Sequence, residues 1–329
     1  MILDEAPTAV TIELPPLPEA WVARLGAILE PAALGPALAS FALEKPTCLR
    51  ANELKATADQ VASELARQEF DLEPLGWCPG AWWIPAGQKR RLTDSDAFQQ
   101  GRIYVQNPSS LLPPLVLAPV PGEEVLDLAA APGGKTLHLA ALMGNQGRIA
   151  AVESVRERFF RLRANLERCG AQMVRPYWMD GRAVGAKTPE RFDRVLLDAP
   201  CSSEARFSRL DANSWAHWSP AKIREAARKQ GRLLASASRA LRPGGRLLYC
   251  TCSFAPEENE LVLDRLLARD GAELRLLPIH QAMPPFQPGL TQWEGRALHP
   301  DLALCRRILP DARVDGFFLA LLEKAPRRI

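Results

Sequence analysis

The stretch Glu124-Val-Leu-Asp-Leu-Ala-Ala-Ala-Pro-Gly-Gly-Lys-Thr136 decides how this chain folds. Glu124–Leu128 reads as a short apolar strand, and a helix follows near Lys135–Met143. The small residues between them let backbone come close to a ligand at the helix N-terminus. Two phosphate-binding readings fail. A P-loop needs a glycine five positions before Gly134, where Ala129 stands. A dinucleotide fingerprint needs three spaced glycines, and only the adjacent Gly133 and Gly134 occur. A tight turn without a ligand is the plain alternative.

Outward from this loop, strands and helices alternate. Arg148–Val152, Met173–Trp178, Phe192–Asp198, Arg246–Thr251 and Phe317–Leu322 read as strands. Val155–Arg168, Pro220–Leu241 and Pro256–Arg269 read as helices, the second stopping at Pro243-Gly244-Gly245. Phe192–Asp198 is apolar enough for a parallel strand buried on both faces. Such alternation predicts an α/β fold with a doubly wound, mostly parallel sheet.

Residues before about 105 have a different texture. Residues 1–20 read as an irregular, proline-rich arm, and Trp21 to Leu43 as one or two helices broken by Pro31 and Pro36. Thr47–Asn52 reads as a strand, Ala56–Gln68 as a helix burying Val61 and Leu65, and Leu75–Pro85 as a strand pair turning at Pro79-Gly80. This predicts a small mixed α+β unit over 1–105 and a catalytic unit over 106–329.

Composition sets the class. The chain has 329 residues, 47% hydrophobic and 24% charged, an ordinary globular balance with room for two domains. No apolar run approaches the ~18–20 residues of a membrane span. The acidic start MILDEAPTAV lacks the features of an export signal, so a cytoplasmic protein is expected. Seven scattered cysteines and no paired CxxC knuckles argue against a disulfide framework or a zinc site, leaving reduced thiols and no metal. A net charge of +3 permits RNA binding without requiring it.

Four carboxylates fall at the carboxyl ends of successive strands: Asp127, Glu153, Asp180 and Asp198. Ligands of open sheets bind at that edge, and a carboxylate about twenty residues after the loop suits ribose hydroxyls. Each alone could be a helix cap; four in register favour a nucleoside cofactor without phosphates. Cys201 follows the Phe192–Asp198 strand and Cys252 follows the Arg246–Thr251 strand, so both thiols share that edge. Cys48, Cys78, Cys169, Cys250 and Cys305 read as small core residues.

Two thiols beside a nucleoside cofactor suit chemistry better than packing, with a regulatory disulfide between them as the alternative. Carbon 5 of cytosine is a poor nucleophile until a thiolate adds at carbon 6 and loads electron density onto it. The thiolate needs help, since a free cysteine has a pKa of about 8.5, and Lys135 is a candidate cation. Asp198 can hold the amino edge of the base. Spacing alone leaves open which cysteine attacks.

These residues closely resemble the Nop/Sun family of RNA cytosine-5 methyltransferases. The landmarks are TCLRAN (47–52), QNPSS (106–110), DLAAAPGGKT (127–136), LLDAPCS (196–202), WSP (218–220), LRPGGRLLYCTCSFAPEENE (241–260) and RRILPDARVDGFFLALLEK (306–324). The resemblance implies a class I, Rossmann-like methyltransferase fold with a small N-terminal RNA-recognition domain. It implies S-adenosyl-L-methionine contacts from Ala129, Ala130, Ala131, Pro132, Gly133, Gly134 and Lys135, and from Glu153, Asp180 and Asp198. It also implies Cys252 as the nucleophile and Cys201 as the residue that frees the product. The expected partner is RNA, ribosomal first and transfer RNA second, for an enzyme acting as a monomer.

Departures from the family pattern are local. Ala129 replaces the usual cysteine, Asp311 follows Pro310 where histidine is common, and SEARFSRLD (203–211) stands where glycines are frequent. That segment is expected to line the substrate cleft. With no further domain expected after Lys324, the N-terminal unit is expected to supply most RNA recognition. Lys89-Arg90-Arg91 is the favoured phosphate contact. The arginines of 155–168 and of Lys222–Arg242 read as solvated helix faces, and Trp82, Trp83, Trp215 and Trp218 as packing. His138 and His217 receive no role. An RNA-binding assembly factor without catalysis, or a methyltransferase for DNA or protein, are the competing readings.

Overall fold

The computed structural model of the protein describes residues 14–271 and 273–326, so most of the arm expected over 1–20 lies outside the described residues. Helices α1 (Glu19–Ile28) and α2 (Pro31–Ser40) come first. Pro31 occupies the first turn of α2, where its missing N–H is harmless, and Pro36 lies within α2 without ending it. Their buried apolar side chains join the core of the large sheet. The Trp21 ring meets Phe41, Phe207 and Phe254 at centroid distances of 5.2, 5.1 and 6.2 Å, in the core of the large sheet.

The small domain is an antiparallel sheet of order β2-β3-β1-β4, made from β1 (Thr47–Ala51), β2 (Glu73–Pro74), β3 (Ala81–Ile84) and β4 (Ile103–Val105). Helix α3 (Ala58–Arg67) opens with a capping box of Thr57 and Gln60 and buries Val61 and Leu65 against Leu49, Ile84 and Ile103. The strand pair expected over 75–85 is shorter, because Leu75–Gly80 is spent on the turn; Cys78 N donates to Leu75 O at 2.9 Å. Short helices α4 (Lys89–Asp94) and α5 (Asp96–Gln99) complete the unit, and α6 (Leu112–Leu117) leads out.

The large sheet contains β5 (Glu124–Asp127), β6 (Arg148–Glu153), β7 (Val174–Trp178), β8 (Phe192–Asp198) and β9 (Leu241–Thr251), all parallel. Helices α7 (Gly134–Leu142), α8 (Arg156–Arg168), α9 (Val184–Lys187), α10 (Pro220–Ala240) and α11 (Glu260–Asp270) flank it. Then come β10 (Leu274–Leu277), β11 (Phe286–Pro288), a hairpin of β12 (Gln292–Trp293) and β13 (Arg296–Ala297), β14 (Arg306–Ile308) and β15 (Phe317–Lys324). The order is β11-β14-β15-β9-β8-β5-β6-β7, with β10 on β15, and β15 runs antiparallel to β9. This is the doubly wound, mostly parallel sheet that the alternation predicts. Successive residues of β8 feed opposite cores, Val195 and Leu197 on one face and Leu196 on the other.

Two boundaries moved for local reasons. Strand β9 starts at Leu241, which pairs with Phe192 before Arg242–Gly245 bulge out and pairing resumes at Arg246. Gly244 has φ +78°, and a Cβ on Gly245 would sit 2.8 Å from Asp193 O, so the bulge requires these glycines. Helix α11 starts at Glu260 and not at Pro256, since Asn259 ties the preceding turn to Ser253 O at 2.8 Å and to Thr251 Oγ1 at 2.6 Å. From β5 the chain winds outward to β6 and β7, then returns to place β8 on the other side of β5. The switch point therefore lies between β5 and β8, at the mouth of the 128–134 loop. Among the described residues no helix is long and apolar enough to cross a membrane.

Candidate active site

The loop after β5 is held from below and from both sides. Asp127 accepts a 2.6 Å hydrogen bond from Thr136 Oγ1, and burial pushes its carboxyl up to about 7. Ala130 N donates to Val152 O at 2.9 Å, and Arg158 of α8 donates to Ala131 O at 2.7 Å. Glu153 ends β6, accepts from Val155 N at 2.8 Å and lies 3.6 Å from Arg158 Nη1. A cleft of about 430 Å³ opens over the loop, lined by Ala129–Pro132, Gly134, Lys135, Asp127, Asp198, Arg158 and Arg206, with Tyr104 and Gln106 above.

Gly133, Glu153 and Asp180 are outside the wall of this cleft. Gly133 takes φ +111° and faces Leu162 of α8. Asp180 stands two residues beyond β7 and caps the turn at Gly181–Ala183. Its carboxylate is engaged by Arg182, whose Nε lies 2.8 Å from Oδ2 and holds it below the usual carboxylate range. Of the four carboxylates, Asp127, Glu153 and Asp198 end strands, while Asp180 is diverted to this local pair.

The small domain is stitched to this cleft by its own sequence landmarks. Arg50 is buried and donates to Gly134 O at 3.3 Å. Asn52 Nδ2 donates to Gly101 O and to Cys169 O at 2.7 and 2.8 Å. Asn107 bonds Asp315, and Ser109 Oγ donates to Asp315 O at 2.6 Å. Asp127 Oδ1 and Gln106 Oε1 are buried at the cleft and have no partner among the described residues. Both are acceptors, so they call for a ligand that donates hydrogen bonds through hydroxyl or amine groups. The ribose hydroxyls and amino groups of an adenosyl amino acid are donors of this kind.

Both cysteines of the carboxyl edge come together. Asp198 pairs with Cys250 across β8 and β9, so the loops after the two strands start side by side. Cys201 Sγ lies 3.2 Å from Cys252 Sγ, and Ser203 Oγ lies 3.6 Å from Cys252 Sγ. The contact with Cys201, aided by the nearby Arg206 guanidinium, pushes the Cys252 thiol down. The same contact and burial push Cys201 up. Cys48, Cys78, Cys169, Cys250 and Cys305 are buried, and burial raises all five thiols.

Lys135, the expected cation beside the thiols, is engaged elsewhere in this structure. Its Nζ is spent on Asp198 Oδ2 at 2.7 Å and lies 5.5 Å from the Phe317 ring centroid. Arg206 takes that place, and it belongs to the unusual 203–211 segment. A second set of residues was not singled out as functional in the sequence. Glu258 is buried and accepts from Ser202 N at 2.9 Å, Ser253 Oγ and Gln230 Nε2 at 2.8 Å, and Ser202 Oγ. Glu204 accepts from Phe254 N and Ala255 N at 3.0 Å and from Trp218 Nε1 at 2.8 Å. These two carboxylates clamp the loop after Cys201 to the loop after Cys252. Among the described residues no group of three or more His, Cys, Asp or Glu side chains is placed to hold a metal ion.

This geometry has parallels among known proteins. The chain is 37% identical to ribosomal RNA small subunit methyltransferase F of Cronobacter sakazakii over 94% of its own length and 63% of the relative's. It is 37% identical to the tRNA (cytosine(49)-C(5))-methyltransferase of Pyrococcus abyssi over 84% of its length and 87% of that protein's. The crystal structure of a methyltransferase homolog protein from Pyrococcus horikoshii superposes with a TM-score of 0.81 at 31% identity, covering 94% of this chain and 95% of that one. The chain spans 56% and 63% of the methyltransferase F relatives from Serratia proteamaculans and Cronobacter sakazakii. Residues 17–108 match the N-terminal domain of 16S rRNA methyltransferase RsmF. Residues 114–323 match the 16S rRNA methyltransferase RsmB/F family, to which this chain belongs.

Proposed function

We propose that this protein methylates carbon 5 of a cytosine in RNA, with small-subunit ribosomal RNA as the substrate. The observation that carries this is the 3.2 Å sulfur pair on the loops that follow β8 and β9, where Asp198 at the end of β8 and Arg206 also line the cleft suited to an adenosyl ligand. The relatives named for ribosomal RNA support the substrate. Transfer RNA is the second reading, favoured by the Pyrococcus abyssi relative, which this chain matches over 87% of its length.

S-adenosylmethionine, when bound, supplies an electrophilic methyl group. Ala129–Lys135 would cradle it, with Glu153 toward its ribose, and Asp127 and Gln106 offering acceptors. Asp198, fixed by Lys135, would hold the amino edge of the target base. The Cys252 thiolate would add to carbon 6, and carbon 5, made electron-rich, would take the methyl group. Loss of the proton from carbon 5 then restores the double bond as the bond between Cys252 and carbon 6 breaks, with Cys201 beside the adduct assisting release. The division of roles fits the electrostatics, since Cys252 is the thiol pushed down. A base in a duplex would first have to be flipped out, at a cost of a few kcal/mol. One copy of the chain carries every residue of this scheme, so the working unit is a monomer, acting where ribosomal RNA is made in the cytoplasm.

The test uses RNA from cells lacking the gene, with the purified protein and S-adenosylmethionine. Wild type should deposit 5-methylcytosine at one mapped site, and none in DNA. Cys201→Ala should accumulate an adduct that survives denaturation, and Cys252→Ala should form none. If both variants methylate as wild type does, the scheme is wrong.

A further inference from the structure

Away from the cysteines, the outer faces of α10 and α11 enclose a groove of about 370 Å³. Arg228 and Arg232 line it from α10, and Arg265 and Arg269 line it from α11. All four side chains are exposed, and no carboxylate lines the groove. Arg269 is paired with Asp270 at 2.6 Å. Arg228, Arg232 and Arg265 have neither an ion pair nor a hydrogen bond from their guanidinium groups among the described residues. The floor stays open because Gly231 lies between the two arginines of α10, where an added Cβ would meet nothing within 4 Å.

This arrangement works against folding. Each helix carries two like charges four residues apart, which destabilises by some tenths of a kcal/mol per pair, and the two pairs face one another. A solvated helix face normally dilutes such charge with carboxylates. Concentrated unpaired guanidinium groups around a cleft match a string of phosphates, which they bind through paired, planar donors. The groove lies on the same helix that borders the cavity beside Cys201. Lys229, three residues before Arg232 on α10, lines a second cavity shared with Cys201 and Ser202. The exposed Lys229 thus stands on α10 between the cavity beside Cys201 and the groove lined by Arg228 and Arg232.

We propose that the α10–α11 groove binds the phosphate backbone of the RNA substrate, holding a segment away from the target cytosine. The proposal rests on the RNA-methyltransferase reading and adds a second anchoring surface to the small domain. Phosphate contacts of this kind set affinity and register without reading sequence.

The probe is a fluorescein-labelled, mixed-sequence single-stranded RNA of 20 nucleotides, titrated by anisotropy from 25 to 300 mM KCl. Arg228→Glu/Arg265→Glu is compared with Arg175→Glu/Lys187→Glu, which makes the same charge change at exposed sites elsewhere. Two lost phosphate contacts should flatten the slope of log K against log salt by about 1.4, at about 0.7 per contact for single strands, and weaken binding at least tenfold at low salt. The control should lose far less. S-adenosylmethionine binding, measured by calorimetry, should be equal in both variants and wild type. If the groove variant keeps the control's slope and affinity, or loses only binding to an acidic peptide such as polyglutamate, the groove is not an RNA site. Wild type that binds no S-adenosylmethionine would instead sink the methyltransferase reading, whatever the salt slopes show.

Discussion

At the scale of single residues, two cysteines that look alike in sequence are made unlike by their surroundings. The two sulfurs share a 3.2 Å contact that one proton can serve, and Arg206 adds positive charge that lowers Cys252. A thiol pushed down is the thiolate over a wider range of pH. Alkylation of Cys252 by iodoacetamide should therefore rise with pH to a plateau whose midpoint lies below the ~8.5 of a free cysteine. Cys201→Ala removes the contact. A hydrogen bond to a charged group is worth roughly 1.5–3 kcal/mol and 1.36 kcal/mol corresponds to one pKa unit, so the midpoint should move up by about one to two units. Arg206→Ala should move it the same way by less. Mass spectrometry of the labelled peptides reads this directly, and an unshifted profile, or Cys201 labelling first, would overturn the assignment. The location of both thiols was legible in the sequence, because strand order alone puts 201 and 252 at one edge. Their division of labour was not. The contacts that set the two thiols apart, with Ser203, Arg206 and the Glu258 clamp, reach across about fifty residues of chain, and no local spacing announces them.

At the scale of elements, the strand-loop-helix unit around β5 is legible because each local rule agrees: an apolar strand, small residues, two glycines, then a helix. What the sequence did not reveal is the roof. Gly134 has Tyr104 and Gln106 of the small domain above it, and an added Cβ would lie 2.8 Å from the Tyr104 ring and 3.2 Å from the Gln106 amide. Glycine here sets the distance between the two units. Gly134→Ala should push the roof away, cost on the order of 1–3 kcal/mol of stability as an overpacking change, and weaken S-adenosylmethionine binding at least tenfold. Calorimetric titration and a melting curve would show both, and an unchanged dissociation constant would mean that the roof takes no part in the cofactor site. The diversion of Asp180 has a similar lesson. Its place after a strand fits the cofactor pattern equally well, and in this structure its carboxylate pairs with Arg182, two residues on, a contact that strand position alone does not announce.

At the scale of the whole molecule, the sequence boundary near 105 separates two sheets, yet α1 and α2 cross it. Their composition gave no sign of this, because an amphipathic helix shows that it has a partner and not which one. Trp21 is 1% exposed and sits among Phe41, Phe207 and Phe254, while Arg24 bonds Glu257 at 2.7 Å. Phe207 adjoins Arg206, and Glu257 adjoins Glu258, so the arm braces both segments that clamp the cysteine loops. Truncation of a fully buried tryptophan costs roughly 3–5 kcal/mol. Trp21→Ala should destabilise the chain by that order in urea, with α1 and α2 unfolding together with the large sheet in one transition. It should also slow alkylation of Cys252 at pH 7, because a loosened 203–207 segment no longer holds Arg206 beside the sulfur. Trp82→Ala, in the core of the small domain, is the matched control: it should destabilise without changing the Cys252 rate. If Trp21→Ala costs less than about 1 kcal/mol, or if both variants change the rate equally, the arm is not part of the active-site frame. If only Trp21→Ala slows the thiol, the first forty residues belong functionally to the catalytic unit.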